Sequence, residues 1–210
     1  MVTDGTNPGV VTGLMATPGT NFVTLTWYAT GNNVDVGRAA KYEVTVNGTK
    51  VENVSAPQEY CNPEELKITG LDPNTTYNFS VKAADEAPNW GAAATISTTT
   101  LPSPVVINEL MWMGSTLSSA DEWIELRNTT DFDIDLTGWY IEKAGSGSDT
   151  IILYGTIPAN GYFLLSNYQT DSSAINNSII SDQVTTGLNM DNGGEQLVLK
   201  NNFDGILIKQ

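Results

Sequence analysis

Apolar and polar residues alternate with a period of two over much of this chain, the spacing that sends successive side chains to opposite faces of a strand. Phe22-Val-Thr-Leu-Thr-Trp-Tyr28 sets Val23, Leu25 and Trp27 against Phe22, Thr24 and Thr26, which predicts Trp27 in a core. Residues 76–83 form the cleanest such run, with Tyr77, Phe79, Val81 and Ala83 inward. Residues 10–16, 42–46 and 93–99 read as further strands, and Asn47-Gly48 is the strongest two-residue hairpin signal. No window of helical length has apolar residues at i, i+3, i+4 and i+7. The pattern predicts an all-β chain.

The second half begins with Val105-Val-Ile-Asn-Glu-Leu110. In Asp121-Glu-Trp-Ile-Glu-Leu-Arg-Asn128, alternation puts Trp123, Glu125 and Arg127 on one side and Glu122, Ile124, Leu126 and Asn128 on the other. A polar run follows, then Ile134, Leu136 and Trp139, so the stretch reads as a hairpin or corner between two half-buried strands. Its carboxylates are expected mostly to dress one solvated face. Residues 139–143, 150–154 and 162–166 are expected strands, with a turn at Gly145-Ser-Gly-Ser148. A closing hairpin has its tip at Asn201-Asn-Phe-Asp-Gly205. Through the polar stretch 167–189, Ile175, Ile179, Ile180, Val184 and Leu188 are expected anchors. Thr98-Thr-Thr-Leu-Pro-Ser-Pro104 reads as a short, stiff linker between domains at 1–101 and 102–210.

Composition supports this. The 210 residues are 40% hydrophobic with 5 Trp, 8 Tyr and 5 Phe, enough for two cores. Net charge is −15, divided as −5 up to Leu101 and −10 beyond it. Such a surface repels phosphate backbones and anionic headgroups, which disfavours nucleic-acid and membrane-surface binding. No segment is long and apolar enough to insert in a membrane. The start at Met1, almost inside a strand pattern, suggests a piece of a longer protein.

Two stretches resemble known families. Trp27, Tyr42 and Leu71-Asp-Pro-Asn-Thr-Thr-Tyr77 are similar to a fibronectin type III domain over about residues 4–100. The resemblance implies an immunoglobulin-like sandwich and a tyrosine corner, in which the Tyr77 hydroxyl bonds back to the upstream backbone. The family's Arg-Gly-Asp adhesion tripeptide is absent. Ile107-Asn-Glu-Leu110, Glu122 to Asn128, Ile134-Asp-Leu-Thr-Gly-Trp139, Ile157-Pro-Ala-Asn-Gly-Tyr162 and Gly194-Glu-Gln-Leu-Val-Leu199 resemble the lamin tail domain, over about 105–210. That resemblance implies a second immunoglobulin-like sandwich, of the kind found in bacterial extracellular proteins, and says little about function.

Catalytic chemistry finds few candidates. With no His and one cysteine, Cys61, among acidic neighbours, neither a nucleophile–base pair nor a usual zinc site can be built. Glu109 and Glu125 are the remaining carboxylate pair, read as fold residues rather than a catalytic dyad. Asp131, Asp133 and Asp135 are weak calcium candidates, since neighbours along one strand face are ~6.6 Å apart and reach one ion only if the chain bends. Trp90, Trp112 and Met113 are not explained by alternation and are the candidates for partner binding, or for burial at a junction. Asn74-Thr-Thr76 and Asn128-Thr-Thr130 are glycosylation sequons of chance type.

The reading is two tandem immunoglobulin-like β-sandwiches joined by a short proline-containing linker. Together they form a non-catalytic, cofactor-free pair in an extracellular or cell-surface protein, serving as spacer, adhesion or protein- or glycan-binding region. Accessory domains of a secreted hydrolase, and a self-associating surface subunit, are the competing expectations.

Overall fold

The computed structural model describes residues 5–87, 89–145, 150–169, 173–175, 178–190, 196–201 and 205–209, the last five by backbone alone. The described residues are strands and turns, with no helix among them. The chain divides into two compact units, Met1–Leu101 and Pro102–Gln210.

The first unit contains β1 (Thr12–Pro18), β2 (Phe22–Tyr28), β3 (Lys41–Val46), β4 (Thr49–Lys50), β5 (Pro63–Thr69), β6 (Thr76–Ala84) and β7 (Ala94–Thr99). These make two sheets, β1-β2-β5 and β4-β3-β6-β7, with antiparallel pairing throughout. Val23, Leu25 and Trp27 from one sheet enclose a core with Tyr42, Val44, Phe79, Val81 and Ala83 from the other. The Trp27 and Tyr42 rings meet edge to face at 5.3 Å, a geometry favoured by the ring quadrupoles. The Asn47-Gly48 turn closes β3 onto β4 with both residues at positive φ, as a type I′ turn needs. Tyr77 is half-buried at the core's edge rather than inside it. Its hydroxyl accepts the Asp72 N–H at 2.9 Å, which is the tyrosine corner that the resemblance implied.

Two features differ from the sequence pattern. The first strand begins at Thr12 rather than residue 10, and its register slips between Thr12 and Met15. Gly13 lies in that slip at φ +64, so this is a bulge. Strand β5 pairs with β2 over its whole length, although its sequence does not read as a strand. The reason is Glu64, a charged residue buried to 9% exposure at a position that alternation would give to an aliphatic. The Tyr42 hydroxyl donates to its carboxylate at 3.2 Å and the Gln58 N–H at 2.6 Å, so the buried acid is satisfied locally.

The second unit contains β8 (Val105–Met111), β9 (Trp123–Asn128), β10 (Ile134–Asp135), β11 (Tyr140–Glu142), β12 (Ile151–Ile152), β13 (Thr156–Ile157), β14 (Tyr162–Ser166), β15 (Gln183–Val184), β16 (Val198–Asn201) and β17 (Gly205–Lys209). They form the sheets β15-β14-β9-β8 and β12-β11-β16-β17 and the short pair β10-β13. The core gathers Val105, Ile107, Ile124, Leu126, Leu136, Trp139, Ile141, Phe163, Leu165 and Leu199, among others. Strand β9 does not pair with β10, so the 121–139 stretch is a corner rather than a hairpin. Asn128, fully buried, holds that corner. Its amide donates to the carbonyls of Phe132 (2.7 Å), Pro158 (2.9 Å) and Ile157 (3.3 Å). Its Oδ1 accepts the N–H and hydroxyl of Thr130. A glycan on the Asn128 sequon is sterically excluded by that burial, whereas Asn74 is exposed.

The polar stretch after β14 is anchored differently from expectation. Leu188 is buried, but Ile179 and Ile180 are 52% and 76% exposed. Polar groups hold the segment instead. Asp121 and Glu122, both 2% exposed, accept the N–H groups of Ala174 (2.6 Å) and Met190 (2.7 Å). The Asn167 amide donates to the Leu188 carbonyl and Ser166 pairs with Ser181. A segment with little ladder must satisfy its amides through side chains, so these two acids lie beneath it rather than on a wet face. The Gly145–Ser148 turn and the Asn201–Gly205 tip fall largely outside the described residues, although β16 and β17 pair on either side of the tip.

Candidate functional site

The outer face of sheet β15-β14-β9-β8 is built by the alternation seen in the sequence. Ile124, Leu126 and Asn128 face the core, which leaves Trp123, Glu125 and Arg127 on the opposite side. A register shift between Ile107 and Glu109 leaves Asn108 and Glu109 both exposed and sets Glu109 opposite Glu125. Cross-strand partners then align in rows: Glu109–Glu125–Leu164, and Met111–Trp123–Ser166. All of these but Ser166 line a concavity of about 370 Å³, together with Ser115, Asp121, Ala174, Ile175 and Ile179.

Three carboxylates therefore line one groove, with no Lys or Arg among its described lining residues. Glu125 accepts the Asn108 amide at 2.6 Å. Among the described residues no salt bridge reaches Glu109 or Glu125. Arg127, two residues along β9, turns its guanidinium to the Tyr162 ring at 5.8 Å. Asp121 receives the Ala174 N–H on Oδ2, with the Ser115 and Ser173 hydroxyls beside its carboxylate. Burial pushes the Asp121 carboxyl up, but the Ala174 N–H and the nearby Ser115 and Ser173 hydroxyls outweigh it and hold it below the ordinary carboxylate value. It is an anion at neutral pH.

The aspartate triplet lies elsewhere on the same unit, and all three members are exposed. Asp133 accepts the Ala159 N–H at 2.9 Å. Asp135 accepts the Thr137 N–H at 2.8 Å, and the Thr137 hydroxyl and amide lower its carboxyl below the usual value. These bonds fasten the corner and its neighbouring turn. Among the described residues, no group of three or more acidic or cysteine side chains gathers at metal-binding spacing.

Trp90 is half-buried in the first unit, bridged to Ala84. The Lys82 and Lys41 ammonium groups stand over its ring at 4.7 and 5.2 Å, cation–π contacts within its own unit. Trp112 and Met113 follow β8 in the loop to β9, 44% and 66% exposed. Met111 and Ser115 on either side of them line the groove; Trp112 and Met113 do not.

A larger concavity of about 610 Å³ lies in the first unit, beside Met15, Trp27, Tyr28, Gln58 and Glu64. Its buried acid is already engaged by Tyr42 and Gln58. Burial pushes the Tyr42 hydroxyl far above its ordinary value, Glu64 adds to the rise, and the Trp27 indole opposes only part of it. That constellation is a satisfied core network. The smaller groove gathers three carboxylates with no Lys or Arg among its described lining residues.

Sequence reasoning named Glu109 and Glu125 but not Trp123, Asp121 or the apolar wall. The strand's alternation sets Trp123 on the side of Glu125 and Arg127 without saying which side faces out. Asp121 had no signal, because its partner amide lies 53 residues away.

Comparison with known proteins adds two kinds of relative. The chain is 36% identical over 136 residues to Chitinase D of Niallia circulans, covering 61% of this chain and 24% of that protein. It is 38% identical over 94 residues to Exoglucanase A of Cellulomonas fimi, covering 44% of this chain and 10% of that protein. The chain thus spans a quarter or less of the length of these relatives. Among solved structures, a two-domain fibronectin type III segment from chicken tenascin covers 97% of this chain at 15% identity, with a TM-score of 0.34. The family models match in the order the sequence resemblance gave, a fibronectin type III domain at residues 9–98 and a lamin tail domain at residues 98–210. The chain belongs to the lamin tail domain family through its second unit, preceded by a fibronectin type III domain.

Proposed function

We propose that this chain is a non-catalytic, glycan-attaching accessory region of a secreted polysaccharide hydrolase, located outside the cell with the rest of that protein. The observation behind this reading is that relatives named as a chitinase and an exoglucanase are aligned over only 24% and 10% of their lengths. The alignment therefore leaves most of each relative outside it.

The groove on the second unit fits attachment better than catalysis. Glycoside hydrolysis needs one carboxyl enclosed so that it can donate its proton while the other stays ionised. Glu109 is exposed and Glu125 only half-buried, so neither is shielded as a proton donor needs to be. An aromatic flanked by hydrogen-bonding carboxylates suits recognition of a saccharide ring instead.

Sedimentation of the full chain with insoluble chitin and with microcrystalline cellulose tests the proposal, with a non-glycan matrix as control. Retention on at least one polysaccharide, without release of reducing sugar, is the expected result. Failure to sediment with either, or hydrolysis by the purified chain, overturns it.

A further inference from the structure

We infer that β7 of the first unit is a docking edge for a second copy of this chain, which lays its own β7 alongside, antiparallel, and continues the sheet. This goes beyond the glycan-attachment reading and does not rest on it.

A strand at the edge of a sheet presents a row of unpaired backbone N–H and C=O groups. Native sheets blunt such edges with charge, proline, bulges or shortness. Among the described strands, the other edges carry these devices. Strand β1 holds the bulge at Gly13 and ends in Pro18. Strand β5 begins at Pro63 and carries Glu64, Glu65 and Lys67. Strands β4, β10, β12, β13 and β15 are two residues each. Strand β8 has its register shift and Glu109, and β17 has a register shift against β16 and ends in Lys209.

Strand β7 has none of them. Ala94-Thr-Ile-Ser-Thr-Thr99 is six residues without charge, proline or bulge, paired to β6 in unbroken register. No strand is hydrogen-bonded to it on its other side. The opposite sheet meets this segment beyond the strand ends, where the Leu101 N–H donates to the Gly19 carbonyl at 2.9 Å. The core is also thin along this side. Leu14 and Ala16 of β1 and Ala94 and Ile96 of β7 pack against it yet are only half-buried. A strand added to β7 brings its own inward-facing residues beside them.

The chemistry of the edge selects a copy of itself. With net charge −15, two copies repel over most of their surface. The face toward β7 is neutral: Thr95, Ser97 and Thr99 point outward beside Thr76, Asn78 and Ser80 of β6. Antiparallel pairing about a two-fold axis keeps each face of the sheet on its own side. With Ser97 of one copy opposite Ser97 of the other, Thr95 of each meets Thr99 of its neighbour. Hydroxyl pairs of this kind already cross the sheet, Thr76 to Thr99 at 2.8 Å and Thr45 to Ser80 at 2.7 Å, and they belong to the stabilising cross-strand pairs.

Sedimentation equilibrium of the full chain from ~10 μM to ~1 mM tests this, a range suited to a small, weak interface. The mean mass should rise with concentration toward twice that of the chain. The rise should be steeper in 0.5 M NaCl, where repulsion between acidic copies is screened. Ser97→Lys and, separately, Thr95→Lys should weaken association at least ~10-fold while melting as the unaltered chain does. Thr116→Lys places the same charge on an exposed loop of the second unit and should associate as the unaltered chain does. A single-chain mass at every concentration overturns the inference. So does association that both β7 variants retain, which would place the contact elsewhere, or that Thr116→Lys loses equally.

Discussion

Glu109 and Glu125 stand opposite each other on β8 and β9, two carboxylates in one cross-strand pair, with no Lys or Arg among the described residues lining their groove. Opposite-charge pairs stabilise such positions and like charges weaken them, by roughly 0.2–1 kcal/mol. Glu125→Gln keeps the oxygen that accepts the Asn108 amide and removes one charge. It should therefore raise the melting temperature of the second unit by a few degrees at low salt. The gain should shrink in 1 M NaCl, where the Debye length is ~3 Å. Scanning calorimetry at two salt concentrations measures both, and a loss of stability would show that the glutamate is a structural ligand.

Asn128 fastens the corner through carbonyls and a threonine from two segments. Asn128→Ala leaves several buried groups without partners, at about 3 kcal/mol in total. Chemical denaturation should show the second unit unfolding at lower denaturant while the first unit's transition stays where it was. Movement of both transitions would mean that the units do not unfold separately.

Tyr77 makes one bond of consequence, to the Asp72 N–H, and its ring stays half-buried without it. Tyr77→Phe should cost about 1 kcal/mol, read as a lower urea midpoint with an unchanged slope. A change below the error of the extrapolation would remove the tyrosine corner from the list of stabilising features.

Asp121 links acid stability to the polar segment. Its folded carboxyl lies below the ordinary value of 3.8, so its contribution is complete above that pH and is lost as pH falls through the lowered folded value. Glu109 and Glu125 are the other titratable groups in the groove. Unfolding followed from pH 6 to pH 2 should show a shallower acid limb in Asp121→Asn than in the unaltered chain. Parallel limbs would contradict the assignment.

Much of the fold could be read from particular residues. Val23, Leu25, Trp27, Phe79, Val81 and Ala83 point inward because period-2 alternation leaves no other face for a strand with one dry side. Asn47-Gly48 fixed its hairpin through backbone conformation alone. Strand β5 was hidden because Glu64 interrupts the aliphatic pattern and is balanced by a tyrosine 22 positions away. The polar segment was misjudged for a related reason. Its isoleucines look like anchors, but the bonds that hold it end on Asp121 and Glu122, adjacent acids whose charge suggests a solvated face. The groove was half visible. Two of its carboxylates are in the β8 and β9 signatures, whereas the bulge that sets them opposite each other is a matter of register.

The most direct measurement is sedimentation of Trp123→Ala with insoluble chitin, beside the unaltered chain and Trp112→Ala. If the face around Trp123 attaches the protein to its glycan, Trp123→Ala should lose ~10-fold or more in affinity, the 1–3 kcal/mol of one stacked ring and its contacts, while Trp112→Ala sediments normally. Retention of Trp123→Ala equal to that of the unaltered chain, with the fold intact by circular dichroism, would contradict the account.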